Sequence, residues 1–167
     1  MTDIQEFDSL NQNETTDASM ASLKQFVTFL VEGRTYGIDI NTVREIKQWS
    51  PTTLLPNQSK YMRGVLNLRG TIIPVHDLKA RFTDELTEAT ENHVVVIIWI
   101  GSKTVGILVD AVSDIISIAH DEIKTVPSEK RNSEPSIISG LVKINKDMVA
   151  IIDTNVLFPI QAEDVKE

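Results

Sequence analysis

Cysteine is absent from this chain of 167 residues, which removes disulfides, thiolate metal sites and cysteine nucleophiles together. Histidine is scarce. His76, His93 and His120 stand apart, and none has a neighbour at the spacing that puts two metal ligands on one helix face, so they read as surface or strand-edge residues. The seven glycines never gather into a phosphate-cradling loop, and no Gly-x-Ser-x-Gly elbow occurs. Neither nucleotide binding nor that form of serine catalysis finds support. No metal and no cofactor are expected.

Long apolar runs are also missing. None approaches the ~20 residues that cross a bilayer, and the first residues lack the basic start and apolar stretch of a secretory leader, so a cytoplasmic location without direct membrane insertion is expected. The formal charge of -8 opposes phosphate backbones and anionic lipid, which argues against a nucleic-acid partner. Five of those charges, Asp3, Glu6, Asp8, Glu14 and Asp17, fall before Lys24, the first basic residue. Residues 1–23 therefore read as a disordered acidic tail, too polar to offset the entropy of ordering. Residues 161–167 are expected to fray.

What remains is ordinary in bulk, 41% apolar and 24% charged, and a chain of this length can bury ~70% of its unfolded surface. Its pattern is β throughout. Phe26–Val31 and Tyr36–Ile40 flank the turn Glu32-Gly33-Arg34, and Val43–Ile46 continues extended. Ser59 is placed to cap one helical turn through Met62. Gly64–Asp77 then reads as two strands joined at Arg69-Gly70, where Gly70 supplies the positive φ of a tight turn. Pro74 has no N–H to offer, so one side of this hairpin is expected to be incompletely paired. Asp77 is placed to cap a short helix, Leu78–Phe82. After an acidic loop, the continuous run Val94–Ile100 suits a strand buried on both faces. Val105–Val109, Val112–Ile118, Gly140–Ile144 and Met148–Ile152 follow, and Asp153 opens a last short helix.

The chain also repeats. Gly37–Ile46 matches Gly106–Ile115 at an offset of 69, with four identities and three conservative pairs in ten positions. Gly64–Asp77 matches Gly140–Asp153 at an offset of 76, which also sets Phe82 on Phe158. Apolar alternation alone can produce part of this. Taken as real, each unit is a five- or six-stranded antiparallel element of ~60 residues, short enough to close into a small barrel. Val43, Ile46, Val94, Val112 and Ile115 exceed what one such barrel buries inside itself. They are available for a layer shared between barrels or for a partner. Glu45 could reach Arg69; a solvated turn cation is the plain alternative for Arg69.

The ordered set Tyr36-Gly37-Ile38-Asp39-Ile40, Val43-x-Glu45-Ile46, Gly64-Val65-x-Asn67-Leu68-Arg69-Gly70, Ile73-Pro74-Val75-x-Asp77-Leu78 and Gly106-Ile107-x-Val109-Asp110-x-Val112-Ser113-Asp114 resembles the CheW family of chemotaxis coupling proteins. The resemblance runs from about Phe26 to Phe158. It implies an all-β fold of two five-stranded SH3-like barrels packed together with short helical turns, similar to the regulatory domain of the CheA histidine kinase. The domain would cover residues 24–160, with a first barrel at about 36–90, a second at about 94–152, and the terminal strand and helix crossing between them.

The resemblance further implies a non-catalytic adaptor joining chemoreceptor helical-hairpin tips to CheA in membrane-associated arrays. The receptor tip would lie in a groove lined by Gly64, Arg69, Val94, Gly106, Val112 and Ile115. Kinase contacts would fall on Val43, Glu45 and Ile46, with a further kinase-facing or ring-forming surface near Lys124 and Glu129. A coupling protein of a non-flagellar chemosensory pathway, such as one governing pili, is the alternative. A small β-barrel enzyme or ligand-binding domain is a third reading, for which the sequence supplies no cluster.

Overall fold

The computed structural model describes residues 22–126 and 136–158. The expected acidic and frayed tails and Glu129 lie outside the described residues. Ten strands dominate: β1 Leu23–Val31, β2 Arg34–Asp39, β3 Val43–Gln48, β4 Met62–Leu68, β5 Thr71–Asp77, β6 Val94–Ile100, β7 Lys103–Val109, β8 Ala111–Ala119, β9 Ile138–Ile144 and β10 Asp147–Ile152. Two short helices follow β5 and β10, α1 at Leu78–Thr83 and α2 at Thr154–Leu157. Asp77 caps α1 by accepting from the Ala80 N–H at 3.2 Å, and Asp153 caps α2 by accepting from the Asn155 N–H at 3.0 Å. The segment Ser59–Met62 is a single turn and not a helix: the Ser59 carbonyl accepts from the Met62 N–H, Ser59 Oγ accepts from the Tyr61 N–H at 3.3 Å, and β4 begins at once.

The strands form two five-stranded sheets, ordered β8-β1-β2-β10-β9 and β3-β6-β7-β5-β4. Exchanging β1–β5 for β6–β10 turns one order into the other, so the repeat read from the sequence is a repeat of the fold. The chain passes from one sheet to the other at residues 39–43 and 109–111, because β1 and β2 pair with strands of the second unit while β6 and β7 pair with those of the first. Neither unit is wholly antiparallel. Four pairs join the units: β1 with β8 and β3 with β6 are antiparallel, and β5 with β7 and β10 with β2 are parallel.

In both parallel pairs a glycine makes the approach possible. Gly106 faces Val75 across β7 and β5, and Gly37 faces Ile151 across β2 and β10. A Cβ on Gly106 would lie 2.8 Å from Val95 Cγ1, and one on Gly37 would lie 3.1 Å from Ile151 Cδ1. β5 meets β7 only over Val75–Asp77. The missing N–H of Pro74 thus falls just outside the ladder, as its place in the sequence requires.

Alternation along the central strands sorts their side chains into three cores. Val95 and Ile97 of β6 point into the second sheet's own core with Leu66, Ile73, Val75 and Leu108. Val96, Ile98 and Ile100 point the other way, into a layer shared with Val27, Phe29 and Val31 of β1 and with Leu157 of α2. Phe26, Ile118, Val142, Val149 and Ile151 fill the first sheet. The run Val94–Ile100 is therefore buried on both faces except at Trp99, which is half exposed beneath the Arg44 guanidinium.

Candidate functional site

The β4–β5 turn is built from its sequence upward. Leu68 pairs with Thr71, leaving a two-residue loop in which Arg69 has φ 52° and Gly70 φ 87°, the backbone of a type I′ turn. Arg69 pays a steric cost there, and Asn67 offsets it by accepting from the Gly70 N–H at 2.8 Å. So held, Arg69 sends Nη2 to Glu45 Oε2 at 2.7 Å. This ion pair joins the β4–β5 turn to β3, the opposite edge of the same sheet, and shows the sheet curling on itself. Arg69 therefore stands against β3 at Glu45, the residue before Ile46. Val43 packs on the shared core, while Ile46 is 46% exposed on an edge strand.

The equivalent edge of the other sheet is β8. Val112 packs on the shared core, as does Val94 at the start of β6, and Ile115 is 53% exposed. Ile115 is the repeat counterpart of Ile46. Asp110 fixes the corner before β8 by accepting from the Glu32 N–H at 2.8 Å and by standing 3.5 Å from His93 Nε2. No counterpart of the Arg69–Glu45 pair is seen among the described residues, since Asn145 occupies the place of Arg69. Lys124 is exposed, and its backbone bridges to Leu141.

Gly64 and Gly106 are not surface residues. Gly64 is buried with φ +118°, and a Cβ there would collide with the Thr53 carbonyl as the chain after β3 pairs with Val65. Gly106 is buried where β7 passes β5 and β6. Both shape the strands that carry the surface, and neither presents an exposed side of its own.

A cleft of about 750 Å³ opens between β5, β7 and the segment after β10. Its apolar lining includes Ile72, Leu78, Ile100, Val105, Leu157 and Phe158. None of Gly64, Arg69, Val94, Gly106, Val112 or Ile115 lines it, because these lie on the edge strands, in the β4–β5 turn or inside the sheets. His76 forms one wall, its ring 4.8 Å from that of Phe158. Burial, aided by the nearby Arg81 charge, lowers its pKa below the ordinary histidine value.

Asp77 is fully buried. Beyond capping α1 it accepts from the Thr87 N–H at 2.7 Å and from Thr87 Oγ1 at 2.8 Å, with Arg63 Nη1 3.7 Å away. Arg63 also donates to the Thr87 carbonyl at 2.8 Å. This cluster pins the acidic loop to the second sheet and leaves no carboxylate oxygen for chemistry.

Comparison with known proteins gives the fold its family. The CheW-like domain matches residues 25–161. The chain belongs to the CheW family. The probable chemotaxis protein CheW of Rhizobium etli is 34% identical over 150 residues, covering 90% of this chain and 91% of that protein. The chemotaxis protein CheW of Rhizobium meliloti is 33% identical over 84% of this chain and 91% of its own length. Among solved structures, the scaffolding protein TtCheW from Thermoanaerobacter tengcongensis superposes with a TM-score of 0.72 at 31% identity, covering 83% of this chain and 89% of that one. Among the described residues of this CheW-family chain, no group of three or more His, Cys, Asp or Glu side chains could hold a metal ion. No helix there is long and apolar enough to cross a membrane.

Proposed function

We propose that this protein is a non-enzymatic chemotaxis adaptor that couples chemoreceptor cytoplasmic tips to the regulatory domain of the CheA histidine kinase, in the cytoplasm at membrane-associated arrays. The observation that carries this reading is the pair of equivalent edge strands, β3 and β8, each presenting a half-exposed isoleucine at the same repeat position. Unpaired edges with exposed apolar side chains are sites for a partner. The names of the relatives, chemotaxis proteins and a scaffold, support the same direction.

The two faces differ in charge character, which suits two different partners. The β3 face holds the Arg69–Glu45 pair beside Val43 and Ile46, and is assigned to the kinase. The β8 face holds Val112 and Ile115, with Val94 at the adjoining corner, and an exposed Asp114 in the place of Glu45 with Asn145 in the place of Arg69; it is assigned to the receptor hairpin, whose helices would lay an i, i+3, i+4 face on it. Gly64 and Gly106 contribute to this surface through the strand geometry they permit. Lys124, bridged to Leu141 of β9, marks the further contact on the first sheet's side, and Glu129 is proposed to share in it. In an array several modest contacts of this kind act together, so avidity does the assembly. Titrating the purified protein separately with a receptor-tip fragment and with a CheA regulatory domain tests the reading. Saturable binding of both is expected, and binding of neither would overturn it.

A further inference from the structure

The edge strands β3 and β8 share one irregularity, and only β3 puts a cation on it. Val43 faces Ile98 and Glu45 faces Ile97, which leaves Arg44 as the extra residue of a β-bulge. Ser113 is its counterpart in β8, between Val112 facing Phe29 and Asp114 facing Thr28. A bulge re-aims the side chain it adds. The Arg44 guanidinium accordingly lies 5.0 Å from the Trp99 ring centroid, over its face, and donates to Thr104 Oγ1 at 3.3 Å. At the offset of 69 that relates the two repeats, Leu30 stands where Trp99 does. The β8 face therefore has neither half of this stacked pair.

Both members of the pair meet solvent, Arg44 being exposed and Trp99 54% exposed. Among the described residues no carboxylate stands within ion-pair distance of Arg44, while its neighbour Glu45 is held by Arg69. Stacking on the indole fixes the planar fork without neutralising it. Thr104 accepts from one of its N–H groups, and the others remain to receive a carboxylate. An apolar side chain beside that carboxylate would cover the indole, and exposed Trp and Arg are the residue types that most often dominate an interface. We propose that Arg44 and Trp99 are the specificity anchor of the β3 face and seat an aspartate or glutamate of the kinase regulatory domain. The inference rests on the assignment of β3 to the kinase, with which Arg44 is continuous through Glu45. On β8 the same place offers Ser113 beside the exposed Asp114, which repels a carboxylate, so the two faces do not exchange partners.

The chain has two tryptophans, Trp49 and Trp99, so the full chain made with fluorotryptophan gives two fluorine resonances, assigned through Trp49→Phe. A CheA regulatory domain should shift or broaden the Trp99 resonance, and a receptor-tip fragment should leave it in place. Arg44→Gln should weaken kinase-domain binding about tenfold, the effect of losing one charge-assisted contact, and should flatten its dependence on salt. Receptor-tip binding by the same variant should be unchanged. A Trp99 resonance unmoved by a bound kinase domain, or moved by the receptor tip instead, overturns the inference and leaves the coupling reading standing. So does Arg44→Gln binding the kinase domain as tightly as the parent, or more weakly with its salt dependence undiminished. A parent chain that binds no kinase domain overturns the coupling reading and this inference with it.

Discussion

Arg69 Nη2 lies 2.7 Å from Glu45 Oε2, joining the tip of the β4–β5 hairpin to the edge strand β3. The Arg69 side chain is 76% exposed and that of Glu45 30%, so the pair contributes only about 0–1 kcal/mol to folding. Its effect is to fix a guanidinium on β3 at Glu45. Arg69→Ala should therefore leave the thermal midpoint nearly unchanged while weakening kinase-domain binding several-fold. The exchange Glu45→Arg with Arg69→Glu should recover part of that loss. Calorimetric titration of the four variants measures both effects, and equal binding by all four would remove the pair from the interface.

The glycines of the parallel pairs give a prediction about stability alone. In Gly106→Ala the new methyl meets Val95 Cγ1 at 2.8 Å in a strand packed on both faces, and in Gly37→Ala it meets the movable end of Ile151 at 3.1 Å. Overpacking of this kind costs about 1–3 kcal/mol, with the larger loss at Gly106. Denaturant unfolding of the two variants should order them so.

The two cap carboxylates have diverged in duty. Asp153 serves α2, whereas Asp77 serves α1 and Thr87 together and is fully buried. Loss of a cap costs about 1 kcal/mol, and leaving buried donors unpaired adds about 1–3 kcal/mol. Asp77→Ala should accordingly destabilise the protein on the order of 3 kcal/mol and Asp153→Ala about 1 kcal/mol. Proteolysis between residues 84 and 92 should accelerate only in the first.

His76 supplies a pH dependence with a definite sign. Its pKa in the folded protein is lowered by burial and then by Arg81, so the unfolded chain binds its proton more readily. The stability tied to the neutral ring is complete above the unfolded value of about 6.5, and it is lost as pH falls from there toward the folded value. Thermal midpoints of the parent should drop through that window faster than those of His76→Phe. Parallel curves would show that the ring does not titrate against folding.

How much of this was legible in the sequence follows from what kind of signal each feature leaves. The hairpins, the Asp77 and Asp153 caps and the repeat are local or periodic, and each reads directly from Gly, Asp and alternating apolar residues. The reciprocal exchange of strands is not local. Nothing in Val94–Val109 states whether it pairs with β3 and β5 or with β9, and only the spatial opposition of Gly106 to Val75 settles it. The Arg69–Glu45 contact was foreseen, while the cleft between β5 and β7 is lined by none of the expected groove residues. Gly64 and Gly106 carry a surface role by resemblance, and both are buried. Asn67, which latches the turn, was missed; an Asn three residues before a turn glycine is its only trace in the chain.

On the proposed function, β3 and β8 are separate docking faces on one adaptor. The most direct test sets Ile46→Glu and Ile115→Glu side by side, each at a half-exposed edge position, and measures binding to a kinase regulatory domain and to a receptor-tip fragment. Ile46→Glu is predicted to lose the kinase and keep the receptor, and Ile115→Glu to lose the receptor and keep the kinase, with both proteins still folded. Loss of both partners by either folded variant, or of neither by both, would contradict it.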